Sequence, residues 1–141
     1  MQIRDVEHGF MLRLERGEEL IESLTDFCAR RNVHGGVFTG IGAVERVQIG
    51  YYDVSKKEYF FRDENGVFEV ASMQGNVALI DGAPFIHAHA VLSRCDESLE
   101  CIGAHIKSAR IAVTLEIHLT PFDVPLKREL NDDIGLKLLS L

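Results

Sequence analysis

Residues 84–105 read PFIHAHAVLSRCDESLECIGAH and contain three of the six histidines in the chain. The run Pro84–Ser93 is apolar with a period of two, which predicts a β-strand. Successive side chains of a strand point to opposite faces, so His87 and His89 share one face about 7 Å apart. The polar run Arg94–Glu100 predicts a turn, after which the chain returns toward a third histidine.

The third histidine, His105, joins the same face if the two runs form an antiparallel hairpin. Two registers achieve this, with His105 opposite either His87 or His89, and in both the Cβ atoms across the strands are about 5 Å apart. Both registers require a loop of odd length or a bulge, for which Gly103 is a candidate.

Three imidazoles on one sheet face predict a site for a divalent transition metal, with zinc as the first candidate. Zinc binds imidazole nitrogen at about 2.0–2.1 Å, and three protein ligands leave a fourth position open to water or a ligand. The predicted ligands are His87, His89 and His105. The alternative is that these are core or surface histidines without a ligand, which are common in proteins.

Composition restricts the class of protein. A chain of 141 residues with 46% hydrophobic and 26% charged residues predicts one globular domain over residues 1–141. A net charge of −7 argues against general affinity for nucleic acid, which requires clustered Lys and Arg. No apolar run approaches the about 20 residues of a membrane span, and no secretory signal is visible. The three cysteines lack metal-like spacing and predict reduced thiols in the cytoplasm.

The remaining periodicity predicts an α+β domain, with one main helix and seven or eight strands in a largely antiparallel sheet. Glu18–Arg31 predicts the helix, because its apolar residues recur at spacings of three and four. A turn is expected at Asp63–Gly66, and the strand that follows is expected to be interrupted near Gln74–Asn76. The apolar tail Asn131–Leu141 is expected to pack on this subunit or on a neighbour.

One carboxylate stands out on the last clearly alternating strand, Arg110–Leu119. Glu116 lies on the polar face of that strand, so it is the candidate for a catalytic base or a fourth metal ligand. The alternative is a solvated carboxylate on an exposed sheet face.

A set of motifs in a fixed order resembles the PPC domain family of plants and prokaryotes. The resemblance implies an antiparallel sheet flanked by a helix, and a homotrimer. In plants the domain follows an AT-hook and assembles nuclear proteins on AT-rich DNA. The motifs are LRLERGEELIESL (12–24), GGVFTGIGAV (35–44), IGYYD (49–53), FEVASMQGN (68–76), DGAPFIHAHAVLS (81–93), GAHI (103–106) and VTLEI (113–117).

The family is similar in structure to acetolactate decarboxylase, which binds zinc through an HxH pair and a later histidine. That likeness implies the same ligands, His87, His89 and His105, but no substrate. The nearest match to the Arg-Gly-Arg-Pro core of an AT-hook is Arg16-Gly17-Glu18. Two functions follow: a homotrimer with a three-histidine metal site, acting as a small-molecule metalloenzyme, or a non-catalytic DNA-associated or assembly module without an AT-hook.

Overall fold

The computed structural model describes every residue from Met1 to Leu141. One helix and eight strands follow each other along the chain, and seven of the pairings are antiparallel. The predicted α+β class is therefore confirmed. The elements are β1 (Gln2–Val6), β2 (Gly9–Glu15), α1 (Leu20–Arg31), β3 (Gly36–Asp53), β4 (Glu58–Ile80), β5 (Ala83–Arg94), β6 (Cys101–Pro121), β7 (Lys127–Asn131) and β8 (Leu136–Ser140).

The helix α1 begins two residues after its predicted start, because Glu19 acts as its N-cap. The Glu19 side chain accepts a hydrogen bond of 2.6 Å from the backbone N–H of Glu22. At the other end Asn32 adopts a left-handed conformation with φ of 54° and ends the helix. Four residues of the apolar stripe are buried: Leu20, Leu24, Phe27 and Cys28. No helix of the structure has the length and apolar character that crossing a membrane requires.

The long strands β3, β4 and β6 each pair with several partners. The pairings β3–β4, β4–β5, β5–β6 and β6–β3 form a closed cycle, and β2 continues the sheet from β6. The inner face of this sheet carries the hydrophobic core together with α1. Its largest fully buried side chains include Phe27, Phe38, Phe68, Leu12, Leu14, Met73, Leu92, Ile111, Leu115 and Ile117.

Three local expectations differ from the structure. Asp63–Gly66 and Gln74–Asn76 lie inside β4 instead of forming a turn and a break. These polar and glycine residues stay extended because β3 pairs with both segments and β5 also pairs with the second. The edge strand β1 was not expected from the sequence, and it pairs with β2 alone.

The C-terminal tail packs on its own subunit. Strands β7 and β8 form a hairpin that joins β4 through a parallel pairing of Leu79 with Lys127. The Tyr52 hydroxyl donates a 2.7 Å hydrogen bond to the carbonyl of Ile134, and Lys57 Nζ donates one of 2.7 Å to the carbonyl of Asp132. The hairpin is thereby attached to the ends of β3 and β4 as well as to the edge of the sheet.

Candidate metal centre

The β5–β6 hairpin adopts one of the two registers that the sequence allows. His89 lies directly opposite His105, and the pairing continues without a shift to Ser93 and Cys101. The hairpin therefore closes through a loop of odd length, residues 94–100. Gly103 pairs in register with Val91, so it is not a bulge.

Strand alternation places the histidines on the face away from the core. Ile86, Ala88 and Ala90 are buried on the inner face. His87 and His89 therefore point to the outer face, where His105 also lies because its neighbour Ile106 is buried on the inner side. His87 and His105 are half-buried, and His89 is exposed.

The three imidazoles form a nearly equilateral triangle. Their ring centroids are 5.0, 5.0 and 5.2 Å apart, and one nitrogen from each lies within 4.8 Å of the others. His89 Nε2 is 3.3 Å from His105 Nδ1. Two nitrogens that each lie about 2.0–2.1 Å from a tetrahedral metal are about 3.3–3.4 Å apart. The spacing of this pair therefore fits a shared metal ion.

The environment favours the neutral form of two of these histidines. Burial, followed by the positive charges of neighbouring groups, lowers the pKa of His87 to about 4. The same causes lower the pKa of His105 to about 4. Because neutral imidazole is the form that ligates metals, both side chains are ready to bind at neutral pH.

The histidines line a pocket of about 460 Å³ on the outer face. Tyr59 closes one side, with its ring centroid 5.1 Å from that of His105. Burial raises the pKa of Tyr59, so its hydroxyl remains protonated at neutral pH. The β7–β8 hairpin supplies another part of the wall through Arg128, Leu136 and Leu138.

Arg128 is the cation in direct contact with the histidines. Its Nη2 lies 3.2 Å from His87 Nδ1 and donates a 2.9 Å hydrogen bond to Asn76 Oδ1. Its Nη1 donates a 3.1 Å hydrogen bond to the carbonyl of Lys137, while its buried Nε has no partner. Burial lowers the pKa of Arg128 from its usual high value.

Glu116 does not join the histidines. It lies on the exposed outer face of β6, between Arg13 of β2 and Ile41 of β3, eleven positions along the strand from His105. At about 3.3 Å of rise per residue, that is about 36 Å of strand. Within one chain Glu116 therefore cannot act as the base or fourth ligand that the sequence suggested. The three cysteines are also outside the pocket and free.

Arg128, Asn76 and Tyr59 were missed by sequence reasoning. Asn76 lies opposite His87 on β4, and this contact depends on the register of β4 with β5. Arg128 reaches His87 only because the tail folds back as a hairpin. The pair Lys127-Arg128 carries no local pattern that distinguishes it from surface charge.

The family model for the Plants and Prokaryotes Conserved (PCC) domain matches residues 1–123. The chain belongs to this family. No protein with a curated description matches the sequence significantly.

Solved structures with the same fold include two archaeal proteins. A metal-containing protein from Archaeoglobus fulgidus is 32% identical, with a TM-score of 0.85 and 100% of both chains covered. A plant- and prokaryote-conserved (PPC) protein from Pyrococcus horikoshii is 30% identical, with a TM-score of 0.83 over 93% of this chain and 90% of the other. A protein from Ralstonia eutropha, provisionally described as DNA-binding, is 24% identical, with a TM-score of 0.91 over 99% and 95% of the two chains, and shows the shared fold alone.

The depressed pKa values of His87 and His105 predict that the metal-free protein loses stability between neutral and acidic pH. Their pKa is about 4 in the folded chain and about 6.5 when unfolded, so the unfolded chain binds more protons between these values. The free energy of unfolding should therefore fall as the pH drops from 6.5 to 4. Urea unfolding at pH 7 and pH 5, with chelator present, measures the change.

Matched variants separate the effect of these histidines on stability from that of carboxylates, which titrate in a neighbouring pH range. A double variant His87→Gln/His105→Gln should lose less stability between pH 7 and pH 5 than the wild type. His8→Gln, at a side chain that is 80% exposed, should behave as the wild type does. An equal loss in the double variant and the wild type would contradict the prediction.

Proposed function

We propose that this PCC-domain protein binds one divalent transition metal, zinc first, through His87, His89 and His105, and acts as a small-molecule metalloenzyme. The observation that carries the proposal is the convergence of three histidine nitrogens within 4.8 Å at the wall of a pocket. The metal content of the Archaeoglobus relative, 32% identical over the whole chain, supports it.

The chemistry available at such a site follows from its open position. A bound zinc ion polarises a carbonyl oxygen or activates water. The pocket would hold a substrate between the histidines and the aromatic and aliphatic walls, among them Tyr59 and Leu138. Tyr59 lines the pocket and keeps its hydroxyl protonated at neutral pH, so it is our candidate to donate a hydrogen bond to a substrate oxygen.

The direct test is the metal content of protein purified without a histidine tag. We expect one zinc per chain after zinc is supplied and the excess removed, measured by elemental analysis. Absence of any stoichiometric transition metal after such loading would refute the proposal.

We also propose that the protein is a homotrimer. The family resemblance motivates this, and the outer face of β3 supports it, because it exposes Val37 and Ile41 at 44% and 60%. Apolar residues in such a row favour contact with another subunit. Light scattering at micromolar concentration should give three times the 15.8 kDa chain mass. The variant Ile41→Lys should weaken the assembly. A monomer mass for the wild type would exclude the homotrimer.

DNA association or a non-catalytic assembly role is the second candidate, and the description of the Ralstonia structural relative is what favours it. With a net charge of −7, we expect only weak binding that does not depend on sequence. Such binding should disappear at physiological salt, because phosphate contacts are salt-dependent. A mobility-shift titration across salt concentrations measures it. Sub-micromolar affinity for AT-rich duplex at physiological salt would favour the DNA-associated function instead.

We also propose that the protein is cytoplasmic. All three cysteines are free, although Cys95 and Cys101 are exposed at the ends of the same loop. Free exposed thiols are typical of a reducing compartment.

A further inference from the structure

The charge of the pocket is out of balance once a metal is bound. None of its lining residues is acidic, although the chain contains 22 Asp and Glu residues. Of its two cationic side chains, Lys137 is paired with Asp81 at 2.7 Å. Arg128 donates only to neutral groups. A dication on the histidines would therefore lie beside an arginine with no carboxylate between them.

Metal binding also removes one hydrogen bond from Arg128. A neutral imidazole has one nitrogen that can accept, and His87 uses Nδ1 to accept from Arg128 Nη2 at 3.2 Å. If the metal takes Nδ1, Arg128 loses its acceptor. If the metal takes Nε2, the proton must reside on Nδ1, which then cannot accept. In either case Nη2 is left with an unused donor, in addition to the unpartnered buried Nε.

Leaving these donors unpaired next to a dication is costly, because a buried donor without an acceptor loses free energy and like charges repel each other at short range. We propose that the metal-loaded pocket binds a small organic carboxylate. One carboxylate oxygen would face the metal, and the carboxylate would form an ion pair with Arg128. This inference rests on the proposed metal site and specifies the substrate class that the site takes.

The walls of the pocket favour a carboxylate with an apolar body. Tyr59 and Phe85 supply aromatic surface, and Leu136 and Leu138 supply aliphatic surface from the β7–β8 hairpin. The guanidinium of Arg128 has its Cζ 5.4 Å from the centre of the Phe85 ring, so it lies against this wall. A planar carboxylate matches the parallel donors of a guanidinium edge.

The test uses butyrate and butyramide, which have nearly the same shape and differ in charge. The protein is loaded with cobalt(II), whose visible absorption reports changes in its ligands, and metal content is measured first. We expect butyrate to change the spectrum with a dissociation constant at least tenfold below that of butyramide. Inorganic phosphate is the third probe, and we expect it to bind less tightly than butyrate.

Variants of Arg128 separate its contribution from simple binding of a carboxylate to the metal. Arg128→Gln should keep one metal per chain and weaken butyrate binding at least tenfold, and Arg128→Lys should fall between it and the wild type. Arg13→Gln, at an arginine whose side chain is 50% exposed, is the control and should bind as the wild type does.

The outcomes are distinguishable. Full metal loading with equal affinity for butyrate and butyramide, or with unchanged butyrate affinity in Arg128→Gln, would overturn the carboxylate proposal and leave the metal site standing. Tighter binding of phosphate than of butyrate would also overturn it. Failure of the wild type to load metal would overturn both proposals. The comparison of probes on the wild type remains decisive if the Arg128 variants do not fold.

Discussion

Replacing His89 with alanine should abolish stoichiometric metal binding and leave the fold intact. The variant keeps two protein ligands, and His89 is exposed, so its removal leaves no buried cavity. We expect a loss of at least about 100-fold in zinc affinity. Removing a residue that only hydrogen-bonds to a metal ligand already costs about 10–100-fold, and His89 is itself a proposed ligand. Elemental analysis and competition with a chelator measure the loss, and circular dichroism checks the fold.

The matched control for this experiment is His118→Ala. His118 is also an exposed histidine on the outer face of the sheet, opposite Met11 and Thr39 on the neighbouring strands. It lies outside the histidine triangle, so its replacement should leave metal content unchanged. Equal metal stoichiometry in the wild type and both variants would exclude the three-histidine site.

Substitution of Gly75 by alanine should give the second large effect, a loss of stability together with a distorted site. A Cβ atom at Gly75 would lie 2.2 Å from Phe38 Cζ and 2.3 Å from the carbonyl oxygen of His87. Phe38 is buried in the core, and the segment of β5 around His87 is paired with β4, so neither neighbour can move easily. We expect a cost of about 3 kcal/mol in the free energy of unfolding, at the upper end of typical overpacking.

Urea unfolding of Gly75→Ala and Gly103→Ala provides the comparison. Gly103 lies in the same sheet, and a Cβ there would meet the Ala90 oxygen at 3.3 Å and Val91 Cγ2 at 3.4 Å. Gly103→Ala should therefore stay within about 1 kcal/mol of the wild type. Because the Gly75 clash falls on the backbone of His87, that variant should also bind zinc more weakly. A Gly75→Ala protein with wild-type stability would show that the two strands are not held as close as the structure places them.

The proposed metal ligands and the residue proposed to bind the carboxylate come from different parts of the chain. The histidines lie on the β5–β6 hairpin, and Arg128 lies on the β7–β8 hairpin. This separation predicts that ligand preference can change through β7 and β8 while the metal ligands stay the same.

The sequence by itself determined the helix, the strand character of β5 and the shared face of His87 and His89. These features depend on periodicity within a single element, which the chain encodes locally. The motifs in their fixed order also indicated the family. The sequence also restricted the hairpin to two registers that bring the three histidines together. In these registers His105 lies on the shared face, directly opposite either His87 or His89.

Tertiary structure alone decided the rest. It selected the register that pairs His89 with His105, kept Asp63–Gly66 extended inside β4, and placed Glu116 far from the histidines. It also brought Arg128 to His87 by folding the tail back onto the edge of β4. The physical reason is the same in each case. Pairing between distant strands supplies backbone hydrogen bonds and burial that outweigh local turn preferences, and those partners cannot be read from neighbouring residues.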